Sequence, residues 1–389
     1  MNFVFFSPHF PKNGAEFCFQ LKQAGANVLG IGDAPYESLN DRLKASLTEY
    51  YRVSNMASYD EVLRAVGYFT HKHGKIDRFE SLNEYWLSLE ARIRTDFNIP
   101  GVKKDFVDNL NHKSRMKKYF HDSGVRTVLA APCRDEAAAR EFVAKVGYQI
   151  IVKPDQGCGA SFTYKITNEH ELLSFLKRKP ADVPFIAEEF VDGIILTYDG
   201  LVDLAGNVRF ADSHRFDQSV MDVVNNDDNL YYICQRGIAP EVEEAGRRIL
   251  KAFDVRERFF HIELFKARKD GAIIALEVNM RPPGAWMTDA INFSYDTDVY
   301  RQWAFMVVRN EVDAPREGKF FTAYASRKDW KRYTHTHEEI LRNFGDGLVK
   351  YGPIEPVFSR AMGNYAYQFR HPDEREVRRF VGYVQELQG

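Results

Sequence analysis

The residues with the clearest chemical potential lie in one hairpin-like stretch of this 389-residue chain. Its first arm spans residues 261–265, its turn 269–271 and its second arm 275–281. An Asp-Gly turn between arms rich in β-branched and aromatic residues is a strong hairpin signal. If the loop consists of residues 269–271, Glu263 lies directly opposite Glu277, and Asn279 points to the same face as Glu277.

This pairing would bring two like charges together. Carboxylates directly across a strand pair repel each other, and an unpaired carboxylate among apolar neighbours is costly. A hard cation held by Glu263, Glu277 and Asn279 would remove both costs, and such oxygen ligands suit Mg²⁺, which completes its shell with phosphate oxygens. Taken alone, the stretch is equally consistent with an exposed hairpin whose acidic residues face water. A one-residue change in loop length would also break the pairing of Glu263 with Glu277.

A second stretch, residues 149–166, has the order strand, glycine-bearing loop, strand. The loop contains Gly157, Gly159 and Ser161, and Lys153 stands at the end of its first, apolar strand. Backbone N–H groups in a tight loop of small residues can hold phosphate oxygens, and the lysine can add positive charge. A P-loop or dinucleotide fingerprint would place a helix after the loop, so both are disfavoured. A plain hairpin with glycines for turn geometry remains the alternative.

Length and composition indicate a soluble protein of two to three domains. The formal net charge is −2, so no basic field favours nucleic acid. The four cysteines are widely spaced without a CxxC pair, which predicts a reducing, cytoplasmic location and no zinc site. Residues 1–6 are predicted to be a strand and not a signal peptide, and no apolar run approaches the ~18 residues of a membrane span.

The elements that must position these residues can be placed along the chain. Strands and helices alternate over the first hundred residues, which predicts a parallel α/β sheet, and the absence of GxGxxG argues against a dinucleotide site there. The polar segment 218–229 suits a mobile loop. The other predicted helices are 105–122, 135–146, 169–179, 241–253, 296–309, 337–344 and 373–387, and the other predicted strands are 126–129, 185–191, 196–204, 208–213 and 320–326.

Taken together and in order, these motifs closely resemble the ATP-grasp superfamily, in its carboxylate–amine ligase-like, carbamoyl-phosphate-synthase-large-subunit-like form. The matching pieces, which span roughly residues 1–310, are 111–113, 152–154 with its glycine loop, 188–193, and the hairpin with residues 277–284. The resemblance implies an α/β and α+β multidomain protein with a Rossmann-like N-terminal parallel α/β domain. The implied domains are 1–104 (pre-ATP-grasp), 105–184 (lid), 185–312 (core with the metal site) and 313–389 (small C-terminal α+β lobe).

The resemblance also implies roles for individual residues. ATP would be bound by Lys113, Lys153, Gly157, Gly159, Ser161, Glu188, Glu189, Phe190, Val191 and Asp199. Glu263, Glu277 and Asn279 would hold Mg²⁺, with Mn²⁺ as an alternative. The implied catalytic residues are Arg281 and Lys153, and His214, Arg215 and Arg281 would contact substrate. Asp199 is proposed for the ribose only because the glutamate that often follows the hinge glycine is absent, and Ala285 stands where a second glycine is frequent.

The implied chemistry is activation of a carboxylate as an acylphosphate, followed by attack of an amine, with ADP and phosphate as products. Two other classes stay open: a bicarbonate-activating carboxylase or carbamoyl-phosphate-type enzyme, and a non-catalytic ATP-binding regulatory module. Partners are therefore expected to be ATP and small carboxylates and amines, with neither nucleic acid nor membrane, and a homodimer is left open. The basic cluster Lys113–Lys118 is interpreted mainly as a solvent-exposed helix face.

Overall fold

The computed structural model describes residues 1–157 and 162–388. The first hundred residues form a four-stranded sheet with the strand order β3-β2-β1-β4. All three strand pairs are parallel, in agreement with the prediction, while the Rossmann-like assignment remains a prediction. The elements are β1 (Asn2–Phe6), α1 (Gly14–Ala24), β2 (Asn27–Gly32), α2 (Asp41–Ser46), β3 (Glu49–Arg52), α3 (Tyr59–His73), β4 (Arg78–Glu80) and α4 (Leu87–Asp96).

The next segment contains a second, antiparallel sheet with the order β5-β8-β6-β7. Strand β5 lies later than predicted, because Arg126 and Thr127 instead reach the neighbourhood of Ala275 through a backbone bond and an isolated bridge. The predicted helix 105–122 is broken at His112. The elements are α5 (Asp108–Asn111), α6 (Lys113–Ser123), β5 (Ala130–Pro132), α7 (Glu136–Val146), β6 (Ile150–Pro154), β7 (Tyr164–Ile166), α8 (Glu169–Arg178) and β8 (Phe185–Glu189).

The remaining strands form one large sheet with the order β14-β13-β9-β11-β12-β15-β17-β16, and β10 pairs with β9. Its elements are β9 (Gly193–Val202), β10 (Val208–Asp212), β11 (His214–Phe216), α9 (Val220–Asn225), β12 (Tyr231–Cys234), α10 (Pro240–Ala252), β13 (Arg258–Ala267), β14 (Ile273–Asn279), α11 (Met287–Tyr295), α12 (Val299–Arg309), β15 (Phe321–Arg327), α13 (His337–Phe344), β16 (Leu348–Pro353), α14 (Ser359–Met362), β17 (Tyr365–His371) and α15 (Glu374–Gln385).

Two predicted segments are organised differently from their local patterns. The predicted small C-terminal α+β lobe shares its sheet with the core, because β15 pairs with β12 and carries β17 and β16 beyond it. The predicted mobile loop 218–229 contains helix α9, which Ser219 caps, and its Asp227 binds Lys328 at 2.7 Å and Trp330 Nε1 at 2.8 Å. The sequence also gave no sign of helix α11.

The N-terminal sheet is fastened to the large sheet by both apolar and charged contacts. Phe17 of α1 packs its ring edge-on against Trp303 of α12, with ring centroids 5.3 Å apart. Arg258 of β13 reaches Glu80 at the end of β4 with an N–O distance of 2.6 Å, and the fully buried Arg94 binds the same carboxylate at 2.8 Å. These contacts hold the end of β4 beside the hairpin β13–β14, so the two units share one cleft.

None of the helices in residues 1–157 and 162–388 combines the length and apolar character of a membrane span.

Candidate functional site

The hairpin β13–β14 places Glu263 opposite Glu277, as predicted. The loop is one residue longer than predicted, since Ala267 N–H already bonds the Ala272 carbonyl at 3.0 Å. A bulge between Glu263 and Leu264 compensates, because Leu264 pairs with Ala275 and leaves Leu276 as the extra residue. Bulges of this kind commonly re-aim side chains next to functional sites.

His261, which was not predicted as a site residue, lies on the same face, opposite Asn279. Its Nδ1 is 2.6 Å from Asp199 Oδ1, and its Nε2 is 3.3 Å from Glu263 Oε1. Burial would lower the pKa of His261, but Asp199 and Glu263 outweigh burial and raise it to about 9. The imidazolium therefore links the buried Asp199 to the Glu263 carboxylate and fixes its position.

The oxygen-bearing residues of this face fit a hard cation. Asn279 is only 3% exposed, and its Oδ1 has no hydrogen-bond partner among the described residues. Burial raises the pKa of Glu277, Lys113 lowers it less, and the nearby Glu263 raises it further. An unpartnered amide oxygen beside two repelling carboxylates is a donor set that a divalent cation would complete.

Lysines from two elements converge beside these carboxylates. Lys113 Nζ, at the start of α6, lies 3.1 Å from Glu277, while Lys153 and Lys117 each approach Glu188 to 2.7 Å. Burial opposes ionisation of Glu188, but Lys117 and Lys153 outweigh it and lower its pKa to about 2. The interpretation of residues 113–118 as a solvent-exposed helix face is therefore wrong for Lys113 and Lys117. They lie one helical turn apart, are 7% and 14% exposed, and contact Glu277 and Glu188.

The glycine loop begins on the N-terminus of α6. Asp155 accepts hydrogen bonds from the Ser114 N–H and hydroxyl, both at 2.7 Å, and Lys113 Nζ donates to the Gly157 carbonyl at 2.6 Å. Strands β6 and β7 pair antiparallel, which confirms the predicted order strand, loop, strand. Gly157 has φ +113°, which suits glycine. Gly159 and Ser161 lie outside the described residues.

The predicted hinge lies at the end of β8 and lines the cleft. The Glu189 carboxylate accepts the Leu129 N–H at 2.9 Å, and the Lys165 ammonium lies 4.2 Å from the centre of the Phe190 ring. Val191 follows at the cleft wall. The Glu188 carboxylate is already bound by two lysines, and the Glu189 N–H donates to the Leu129 carbonyl at 2.9 Å.

Asp199, predicted for the ribose, and two of the three predicted substrate residues, His214 and Arg215, lie outside the cleft lining, which corrects their assignment. Asp199 and His214 are fully buried and are bonded to each other at 3.0 Å, with His214 also 3.2 Å from Asp212. Arg215 Nε binds Asp217 at 2.6 Å. Among the described residues that line the cleft, Asp199, His214 and Arg215 are all missing. Asp199 instead supports His261, an arrangement that only the pairing of β9 with β13 reveals.

The cleft itself is a cavity of about 1820 Å³ between the N-terminal unit, the hairpin and the C-terminal strands. Arg281 lies in its wall and binds Glu84, which follows β4, at 3.1 Å. Lys113, Lys153, Glu263 and Glu277 line the same cavity. The structure therefore brings the predicted phosphate-side lysines, the carboxylate pair and Arg281 together, and adds Lys117, His261 and Glu84.

Comparison with known proteins agrees with this arrangement. Residues 146–289 match the ATP-grasp domain family. The carbamoyl phosphate synthase large chain of Halobacterium salinarum is 24% identical over 208 residues, which is 50% of this chain and 19% of that protein. The curated relatives are matched over only 8–21% of their own length.

Solved structures extend the likeness beyond the roughly 310 residues predicted from motifs. An L-amino acid ligase from Bacillus licheniformis superimposes with a TM-score of 0.73 at 14% identity, covering 98% of this chain and 95% of that one. The biotin carboxylase domain of Hydrogenobacter thermophilus 2-oxoglutarate carboxylase gives a TM-score of 0.69 at 15% identity, covering 99% and 90%. These likenesses show a shared fold over nearly the whole chain. Residues 146–289 therefore carry an ATP-grasp domain, and the solved structures show the same fold over nearly the whole chain.

Proposed function

We propose that this protein is a ligase that uses Mg·ATP to activate a carboxylate as an acylphosphate and couples it to an amine, releasing ADP and phosphate. The observation that carries the proposal is the convergence of the carboxylate pair Glu263 and Glu277 with Lys113 and Lys153 in one cleft. Phosphoryl transfer needs little else, because positioning and charge neutralisation supply most of its catalysis.

The metal would be held by Glu263, Glu277 and Asn279. When bound, Mg²⁺ neutralises charge on the phosphate oxygens and makes the terminal phosphorus easier to attack. The solved biotin carboxylase domain is described in complex with MgADP, which supports the same ligand here. His261, backed by Asp199, would keep Glu263 turned toward the ion, as residues behind metal ligands commonly do.

The chain's own cations would handle the nucleotide. Lys113 and Lys153 would each turn partly from their carboxylate partner to bind phosphate oxygens. The Gly157 end of the glycine loop would close over the phosphates. The backbone of residues 189–191 would take the adenine edge. Arg281, beside the carboxylate pair, would steady the transferring phosphoryl group or the carboxylate that attacks it.

Two bond exchanges complete the reaction. A carboxylate oxygen attacks the γ-phosphorus while the bond between that phosphorus and the ADP oxygen breaks, giving ADP and the acylphosphate. The amine nitrogen then attacks the acyl carbon, the bond between that carbon and the phosphate oxygen breaks, and the proton lost by the amine passes to the departing phosphate. No side-chain nucleophile is required.

Pooled-substrate assays test the proposal. Mg·ATP is incubated with pools of amino acids, other small carboxylates and amines, and bicarbonate, and both phosphate release and the nucleotide product are measured. Pool-dependent ADP and phosphate are expected, with Glu277→Gln reducing turnover at least ~10³-fold because the metal loses a charged ligand. AMP as the product would contradict the acylphosphate route. Turnover dependent on bicarbonate alone would favour the carboxylase class, and ATP binding without turnover would favour a regulatory module.

A further inference from the structure

Beyond the carboxylate pair, the cleft continues into a second region, the far half, whose wall is largely apolar. It is lined by Phe10, Leu82, Trp286, Ile354, Phe358 and Met362. Phe10 and Phe358 stack with ring centroids 6.0 Å apart and an interplanar angle of 13°. An apolar wall with a few polar groups is the usual make-up of a small-molecule site.

The backbone that presents Trp286 is strained and firmly held. Ala285 and Trp286 both have positive φ, +51° and +60°, which is uncommon for residues other than glycine. Tyr232 donates to the Ala285 carbonyl at 2.5 Å, and Gln368 donates to the Trp286 carbonyl at 2.9 Å. Strain that neighbouring groups maintain is typical of functional sites. It fixes the indole beside Lys350, whose Nζ lies 4.3 Å from the ring centre.

The far half has no surplus of positive charge. Each of its three described cations lies within 4 Å of a carboxylate: Lys12 with Glu355, Arg281 with Glu84, and Lys350 with Asp289. Burial lowers the pKa of His9, and the carboxylates of Glu16 and Asp298 also line the cleft. A phosphate dianion requires a surplus of positive charge. Beside Glu263 and Glu277, a bound divalent cation would supply that surplus.

In two of these pairs, the cation and the carboxylate are both partly exposed in the cleft. The side chains of Lys350 and Asp289 are 33% and 22% exposed, and those of Arg281 and Glu84 are 20% and 11% exposed. A ligand that carries one positive and one negative group can contact both signs without leaving a charge unmatched. Its uncharged remainder would lie against Trp286 and the Phe10–Phe358 stack.

We propose that the far half binds a zwitterionic α-amino acid with an apolar, preferably aromatic, side chain, as one of the two partners that are joined. This inference rests on the proposed ligase function. It assigns the ammonium group to the Asp289 and Glu84 carboxylates and the carboxylate to Arg281 and Lys350. The same assignment excludes phosphorylated amines, because their phosphate dianion would face a wall without an excess of positive charge.

The first test compares ligands in the Mg·ATP assay. Phenylalanine and leucine are compared with their amides, their deaminated analogues, and a phosphorylated amine such as phosphoethanolamine. ADP release with the two amino acids is expected, and both kinds of analogue should inhibit it with an inhibition constant at least tenfold above the KM for the amino acid. Turnover with deaminated acids or phosphoethanolamine but not with amino acids would overturn the inference and leave the ligase function intact. No ADP with any pool, despite ATP binding, would overturn the ligase function itself.

The second test uses two aspartates at opposite ends of helix α11. Asp289→Asn should raise the KM for the amino acid about tenfold or more and leave the KM for ATP unchanged, because it removes a charged hydrogen-bond partner of the ammonium. Asp289→Asn should also reduce the ratio of the enzyme's affinity for the amino acid to its affinity for the deaminated analogue. Asp296→Asn is the matched control, since Asp296 also binds a lysine, Lys319 at 2.9 Å, outside the cleft lining. Equal effects of both variants would contradict the assignment.

Discussion

Replacing Glu188 by glutamine should destabilise the protein measurably, because its carboxylate is the shared partner of two buried lysines. Glu188 is 2% exposed and lies 2.7 Å from both Lys117 and Lys153. The lysines lower its pKa from 4.5 to about 2 against the opposing effect of burial. That difference corresponds to roughly 3 kcal/mol of stability in favour of the ionised carboxylate at neutral pH.

The neighbouring lysine limits the loss. Burial lowers the pKa of Lys117 by more than the attraction of Glu188 raises it. Once the carboxylate is gone, Lys117 can release its proton and need not remain charged without a partner. We therefore expect Glu188→Gln to reduce the free energy of unfolding by about 2–3 kcal/mol at pH 7, toward the lower end of the cost of breaking a buried ion pair.

The pH dependence has a definite sign. A carboxyl group whose pKa is lower in the folded state stabilises fully above its unfolded pKa of 4.5, and this contribution disappears as the pH falls toward about 2. The difference between wild type and variant should therefore shrink by roughly half between about pH 7 and pH 3.

Urea unfolding followed by tryptophan fluorescence measures these differences, with the denaturant slope checked for each variant. The control is Glu243→Gln on α10, whose carboxylate is 40% exposed and pairs with Arg247. Such surface pairs contribute below about 1 kcal/mol. The reasoning would be refuted if Glu188→Gln and Glu243→Gln gave equal losses, or if the loss at Glu188 did not change with pH.

Two further predictions concern packing and the metal site. Gly246→Ala on α10 should destabilise the fold by about 1–3 kcal/mol, because the new Cβ would lie 2.1–2.6 Å from ring carbons of Tyr198. The control is the exposed Gly382→Ala on α15, whose Cβ would meet nothing within 4 Å and which should stabilise the fold by about 0.5–1 kcal/mol; thermal unfolding compares the two variants, and a stabilised Gly246→Ala would contradict the close packing. Asp199→Asn should raise the Mg²⁺ concentration for half-maximal activity about 10–100-fold, because His261 loses its charged partner; Mn²⁺ binding followed by electron paramagnetic resonance should change in parallel, and unchanged affinity would contradict the positioning role.

The sequence was sufficient wherever structure is local. Alternation of apolar residues, glycine stops and the Asp-Gly turn located most helices and strands, and the facing pair Glu263 and Glu277 was correctly expected. Its register nevertheless depends on a bulge at Leu276 that offsets a longer loop. The pairing of β13 with β9 has no such shift, so the bulge is confined to the β14 side, and no local pattern encodes it.

The errors arose where the packing partner of a residue is distant in sequence. The orientation of Lys117 depends on contact with β8, and the burial of Asp199 depends on β9 lying inside the large sheet. Strand β15 pairs with β12 about ninety residues earlier, so the C-terminal segment extends the core sheet although its local pattern resembled a separate lobe. His261 could have been found, because it stands two residues before Glu263 and so shares its face.

The most direct test of the central claim follows oxygen atoms. Amino acid pools that support turnover are labelled with ¹⁸O in their carboxylates, and the phosphate released from Mg·ATP is analysed by mass spectrometry. If the carboxylate attacks the γ-phosphorus, each released phosphate carries one ¹⁸O from the substrate. Unlabelled phosphate, or ¹⁸O recovered in AMP, would contradict the acylphosphate mechanism.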